Sequence, residues 1–67
     1  MNPKTAEFVV SVPYRTDFYS VSRNRIPKEA ATKAARPDAT FYKVTPKGRV
    51  VSVRIISKSG RFYLRSL

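Results

Sequence analysis

Seven basic side chains and no acidic one lie between residues 39 and 67 of this 67-residue chain. All four acidic residues come before that point. Like charges crowded onto a small domain repel one another, so we expect an anionic partner, and the phosphate backbone of a nucleic acid is the most common one. The basic residues predicted to bind this partner are Lys43, Lys47, Arg49, Arg54, Lys58, Arg61 and Arg65.

Aromatic side chains accompany this charge as three Phe-Tyr pairs, Phe18-Tyr19, Phe41-Tyr42 and Phe62-Tyr63. Exposed aromatic rings beside arginine and lysine stack on nucleic-acid bases. The two rings predicted to do so are Phe41 and Tyr63. Two alternatives stay open: exposed rings that only cover the edge of a thin core, and an interface with a second copy or a partner protein.

Catalysis is not expected from this composition. Histidine and cysteine are absent, which removes the usual general base near neutral pH and the usual soft metal ligands. The four carboxylates form no paired motif, and two isolated glycines cannot build a phosphate-binding loop. The sequence therefore predicts a non-enzymatic binding protein with no metal and no cofactor.

The elements that must position the basic residues are short. Alternation of apolar and polar residues predicts strands, and proline or glycine predicts the boundaries between them. The strands are expected at 7–12, 17–23, 40–45, 49–57 and 61–65. Two turns, at Pro46-Lys47-Gly48 and Lys58-Ser59-Gly60, join the last three strands into an antiparallel meander. These turns lie at opposite ends of the meander, and charge spread in this way suits a linear polymer better than a small anion.

A single helix is predicted from Lys28 to Arg36, because Pro27 suits the first helical turn and Pro37 ends the pattern. A Glu29–Lys33 pair at i, i+4 supports it. The predicted order is β-β-α-β-β-β, an α+β fold in which the helix packs on one face of a small antiparallel sheet.

Strand parity assigns the side chains to two faces. The inner face, under the alanines of the helix, is expected to hold Tyr19, Val21, Tyr42, Val44, Val51, Val53, Ile55, Phe62 and Leu64. The outer face is expected to carry Phe18, Phe41, Lys43, Arg54, Tyr63 and Arg65. A second basic group flanks the helix and either extends this outer surface or forms a separate one: Arg23, Arg25, Lys28, Lys33 and Arg36.

The length predicts one domain over residues 1–67, with a flexible segment at 1–6 and a folded part at 7–67. The net charge is +10, and no apolar run approaches the length of a membrane span. The absence of cysteine suits a reducing cytoplasm. We therefore expect a cytoplasmic protein that does not enter membranes, as a monomer or a homodimer.

Nucleic acid, or the nucleic-acid path of a nucleoprotein complex, is the expected partner. The alternative is a host protein with an acidic surface. The layout, two strands, an alanine-rich helix at 27–36 and hairpins through 40–67, resembles the small phage-encoded inhibitors of the anti-CRISPR type. That resemblance implies an inhibitor that docks on a host protein machine, and it transfers no functional residue. A ribosome-associated protein and a membrane-surface binder are further alternatives, the latter weakened by a helix with no large apolar residues.

Overall fold

The computed structural model describes residues 5–67, which form seven strands and one α-helix. The elements are β1 (Ala6–Val12), β2 (Arg15–Val21), β3 (Arg25–Ile26), α1 (Lys28–Ala34), β4 (Thr40–Val44), β5 (Val50–Val51), β6 (Val53–Lys58) and β7 (Arg61–Ser66). The predicted α+β class is confirmed. Of the segment predicted to be flexible, residues 1–4 lie outside the described residues, and Ala6 already pairs with Val21 in the first hairpin.

The strands form two antiparallel sheets. The larger has the order β2-β1-β4-β5 and the smaller has the order β3-β7-β6. The first hairpin is regular because the turn at Pro13-Tyr14 leaves Val12 opposite Arg15. The second sheet is built around the β6–β7 hairpin, whose register runs from Val53 opposite Ser66 to Lys58 opposite Arg61.

The predicted meander is wrong in one respect, because the strand expected at 49–57 is divided between the two sheets. Val50 and Val51 pair with β4, whereas the residues from Val53 onward pair with β7. Ser52 lies between them and belongs to neither strand. The chain thus changes sheets at Ser52, as strands do at the corners of sandwiches in which two sheets share one core.

Two tight turns need backbone conformations that L-residues seldom adopt. Ser59 and Gly60 both have positive φ, 53° and 75°, as a two-residue type I′ hairpin turn requires. Arg23 and Asn24 also have positive φ, 56° and 60°, and Arg25 donates its N–H to the Ser22 carbonyl at 3.0 Å. This second turn folds the chain from β2 directly into β3, and so joins the two sheets at their other side.

The core lies where the two sheets and the helix meet. Phe8 and Val10 from β1 are fully buried, and α1 contributes only its small side chains to this centre. The buried members of the core are Phe8, Val10, Val21, Ile26, Ala30, Ala31, Ala34, Val53 and Leu64. Alanines allow the helix backbone to approach closely but bury little area, so this short helix depends on tertiary contacts for its stability.

The helix is anchored by an ion pair that differs from the predicted one. Lys33 extends to Asp17 on β2, with Nζ 2.8 Å from Oδ2, and both side chains are partly buried. Glu29 instead lies near the Tyr19 hydroxyl, which donates to it at 3.5 Å. Lys33 pairs with Asp17 rather than with Glu29 because Asp17 lies on the sheet directly beneath the helix, where partial burial reduces the screening of the pair by water.

Candidate nucleic-acid interface

The outer face of the β3-β7-β6 sheet gathers most of the basic residues that sequence reasoning selected. Arg54 lies opposite Arg65, and Lys58 lies opposite Arg61. Opposite residues of antiparallel strands project from the same side of a sheet. We call this surface the cationic face and define it by Arg25, Arg54, Ile56, Lys58, Arg61, Tyr63 and Arg65.

Like charges face each other across the strands of this surface. Directly opposite cations destabilise an antiparallel pair, and here both the Arg54–Arg65 and the Lys58–Arg61 pairs are of this kind. All four side chains belong to exposed residues. Within the described chain no carboxylate shares the face, because the acidic residues lie on β1, β2, α1 and the loop after α1. The arrangement costs stability unless an anion neutralises it.

A middle row separates the two cationic pairs. Tyr63 is flanked by Ile56 on β6 and by Arg25 on β3. Rows along a strand repeat every second residue, so this row lies about 7 Å from each cationic pair. The prediction that Tyr63 lies on the outer face together with Arg54 and Arg65 is confirmed. The half-buried ring leaves part of its surface available among the cations.

Arg25 is the member of this face that the sequence left undecided. It occupies a two-residue strand, which is too short to produce a recognisable alternation. Its register opposite Tyr63 places it on the cationic face. The Arg23-Asn24 pair was the available signal, since asparagine tolerates the positive φ of a tight turn and such a turn starts a new strand.

Three predicted basic residues lie elsewhere. Lys43 pairs with Phe8 on the inner side of the larger sheet, and its Nζ donates to Asn24 Oδ1 at 2.8 Å. Lys47 and Arg49 are exposed in the turn between β4 and β5, which is closed by a hydrogen bond from the Thr45 N–H to the Arg49 carbonyl at 2.8 Å. These three residues are therefore separate from the cationic face.

Phe41 is also misplaced by the prediction. Its pairing with Val10 puts it on the inner face, where its ring lies 5.6 Å from that of Phe8. Tyr42 and Val44 consequently point outward, opposite to the predicted parity, with Tyr42 paired to Val9. The pairing with β1 decides the parity, because β1 carries the fully buried Phe8 and Val10 on its inner side.

Two of the five members of the second basic group, Lys33 and Arg36, are neutralised within the fold. Arg36 forms an ion pair with Asp38 at 2.9 Å, and Lys33 forms the pair with Asp17. The hydrogen bond from Lys33 lowers the pKa of the Asp17 carboxyl, and the same bond raises the pKa of Lys33. Lys33 and Arg36 on the helix side thus carry compensated charges, in contrast to the cationic face.

The outer face of the larger sheet has a different character. We call it the apolar face and define it by Val9, Phe18, Tyr42, Val44 and Val50. Val9 is only 1% exposed there, because its cross-strand neighbours Phe18 and Tyr42 cover it. Phe18 itself is 63% exposed. Glu7 is the single charged residue on this face within the described strands.

Among residues 5–67, no three acidic side chains cluster closely enough to ligate a metal ion. In the same range, α1 does not reach the length and apolar content that a membrane-spanning helix requires.

Comparisons with protein-family models, with curated proteins and with solved structures found no match to this chain. The resemblance in layout to anti-CRISPR inhibitors therefore stays a prediction.

Proposed function

We propose that this protein is a small, non-enzymatic binding protein that engages the phosphate backbone of nucleic acid through the cationic face. The nucleic acid is either free or part of the path that a nucleoprotein complex provides for it. The observation that carries the proposal is the two like-charged cross-strand pairs, Arg54–Arg65 and Lys58–Arg61, on a face where residues 5–67 place no carboxylate. Bound phosphates would turn this repulsion into attraction.

The chemistry of the face favours backbone contacts over base-specific ones. Arginine presents a planar fork that matches phosphate geometry, and three of these four paired residues are arginines. The two cationic pairs lie at different positions along β6 and β7, and this spread suits an extended polyanion. Tyr63 adds a single ring on which a base can stack, so sequence discrimination should be weak. A cytoplasmic location belongs to the same proposal, since a chain without cysteine is compatible with a reducing compartment.

The proposal is tested by titrating labelled duplex DNA, single-stranded DNA and RNA with the full chain at several salt concentrations. The double variant Arg54→Gln, Arg65→Gln should lower the salt slope by about two and the affinity for duplex DNA at 0.1 M salt by roughly 60-fold, the effect of losing two phosphate contacts. The matched control is Lys47→Gln, Arg49→Gln, which removes the same charge from the β4–β5 turn and should change affinity less than threefold.

Equal losses in the two double variants would show that net charge alone drives binding and would overturn the assignment to the cationic face. Absence of binding to all three nucleic acids at low salt would overturn the function itself. The preferred nucleic acid among the three follows directly from the same titrations.

A further inference from the structure

Strand β6 lies at the open edge of the smaller sheet. Leu64 donates its N–H to the Asn24 carbonyl at 2.6 Å, away from β6, so the opposite residue Ile55 exchanges no hydrogen bond with it. Alternation then turns the N–H and C=O groups of Val53, Ile55 and Ser57 toward the open side. Within the described chain, no strand pairs with these groups.

A groove runs beside this edge. It has a volume of about 640 Å³ and is bounded by β6, by one side of α1 and by the start of β4. Its walls are mainly apolar, and none of the lining residues is acidic. The apolar wall residues are Ala31, Ala34, Ala35, Phe41, Val53, Ile55 and Phe62. An exposed strand edge beside an apolar groove is the arrangement in which domains accept an additional strand.

The charges beside the edge select the occupant. Arg54 and Lys58 project from β6 on the outer side, whereas Val53, Ile55 and Ser57 face the groove side. A second copy paired through β6 would bring these cations against their own equivalents on a molecule of net charge +10. A nucleic-acid strand has no amide groups to pair with the edge, and Arg54 is the one cation among the described residues that line the groove. An acidic polypeptide has backbone amides that can pair with the edge and carboxylates that can pair with Arg54 and Lys58.

We infer that β6 binds an extended acidic segment of a partner protein as a fourth strand of the smaller sheet. The added strand would lie about 4.8 Å from β6. Its alternate side chains would enter the groove against Phe41 and Ile55, and the intervening ones would lie beside Arg54 and Lys58. The matching peptide is therefore about six residues long and alternates apolar with acidic residues. This site shares Arg54 and Lys58 with the proposed nucleic-acid interface but involves neither Arg61 nor Arg65.

The probe is a fluorescein-labelled, end-blocked hexapeptide in which glutamate alternates with valine, titrated into the full chain and followed by fluorescence anisotropy. Saturable one-to-one binding is expected. The control peptide has the same composition with three glutamates followed by three valines. Its binding should be at least tenfold weaker, because only alternation satisfies the groove and the outer cations together. Equal binding of the two peptides would overturn the proposal.

Ser57→Pro removes one outward N–H from the edge and leaves the β6–β7 hydrogen bonds in place. It should weaken binding of the alternating peptide at least tenfold, while Ser57→Ala should weaken it less than twofold. Ser57→Pro should leave DNA affinity within twofold. Arg65→Gln should instead weaken DNA binding and leave the affinity for the alternating peptide unchanged, so the two proposals are tested separately. Equal peptide binding by the proline and alanine variants would contradict the strand addition.

A measurement on the unmodified protein needs no variant to fold. Amide chemical shifts recorded during the peptide titration should move along β6 and at Ala34 and Ala35, with little change on the apolar face. Shifts confined to Arg61, Tyr63 and Arg65 would mean that the peptide only imitates a polyanion. Dimerisation through β6 in sedimentation experiments would assign the edge to a second copy. Either result would overturn the proposal.

Discussion

The cationic face and the apolar face are built from strands of the same small domain and differ sharply in charge. The cationic face carries five basic residues and no acidic one, whereas the apolar face carries one acid, Glu7, and no base among the described strands. If the high net charge served only solubility, the basic residues would be expected on both outer faces. This unequal distribution supports the proposed role of the cationic face.

The two faces also treat aromatic residues differently. On the apolar face, Phe18 and Tyr42 are the cross-strand neighbours of the buried Val9 and lie on either side of it. On the cationic face, Tyr63 lies between two rows of cations and covers no fully buried residue on that side. The rings of the apolar face thus flank a buried side chain, whereas the half-buried Tyr63 lies among cations.

The largest expected effect contrasts Phe41 with Phe18, which occur in the same local pattern, Phe-Tyr-x-Val. Phe41→Ala should lower the free energy of unfolding by about 2–3 kcal/mol, because its half-buried ring packs against Phe8 in the core. Phe18→Ala should cost less than about 1 kcal/mol, because most of its ring is exposed. Urea denaturation measures both, and equal values would contradict the parity of β4.

The fold was predictable where the determinants are local. Pro27 and Pro37 bracket the helix, and Gly48 and Gly60 mark the turns, because these residues restrict or extend the backbone by themselves. Alternation in β1 and β7 likewise follows from which side chains need burial. This information was sufficient for the α+β class and for placing Arg54, Tyr63 and Arg65 together.

The parts that could not be predicted depend on partners distant in sequence. Parity in β4 is decided by pairing with β1, since both Phe41 and Tyr42 are apolar enough to face inward. The division at Ser52 depends on which sheet offers a free edge, a property of the assembled domain. The Lys33–Asp17 pair replaces the local Glu29 contact for the same reason.

The second prediction separates binding from stability on the cationic face. Arg54→Glu should reduce affinity for duplex DNA at 0.1 M salt by roughly 60-fold, because one phosphate contact is lost and one repulsion is added. It should also raise the free energy of unfolding by about 0.5 kcal/mol, because Glu opposite Arg65 makes a favourable pair. Titration and urea denaturation of the same variant measure the two effects.

The reciprocal change on the apolar face is the control for that experiment. Val50 is 63% exposed, so Val50→Lys adds a cation there at little cost to the fold. DNA affinity should change less than threefold. A gain of roughly eightfold, the effect of one added phosphate contact at 0.1 M salt, would show that position on the surface is irrelevant to binding.

The smallest effect is the pH dependence of stability. It contrasts the Lys33–Asp17 ion pair on the helix side with the cationic face, whose charges are unpaired among the described residues. The pKa of Asp17 is lowered by the hydrogen bond from Lys33. The stability from this pair is therefore fully present above the unfolded carboxyl pKa of about 4 and is lost as pH falls through the folded pKa. The pKa of Lys33 is raised, so the same stability persists to alkaline pH and is lost only as pH rises through that higher value.

Unfolding curves recorded from pH 2 to pH 7 test this dependence. Asp17→Asn should lower stability near neutral pH and flatten the decline at acidic pH. Arg61→Gln on the cationic face should leave the shape of the acid limb unchanged, since no carboxylate faces Arg61 within the described strands. An unaltered acid limb in Asp17→Asn would show that the ion pair contributes nothing.

The division of one chain segment between two sheets has a consequence for how the domain opens. Val50–Val51 and Val53–Lys58 are joined through a single residue, so neither sheet can separate without pulling on the backbone of the other. The molecule should therefore unfold as one cooperative unit, with no independently stable half. Amide hydrogens in the centres of β1 and β7 should exchange with solvent at similar, slow rates set by global unfolding.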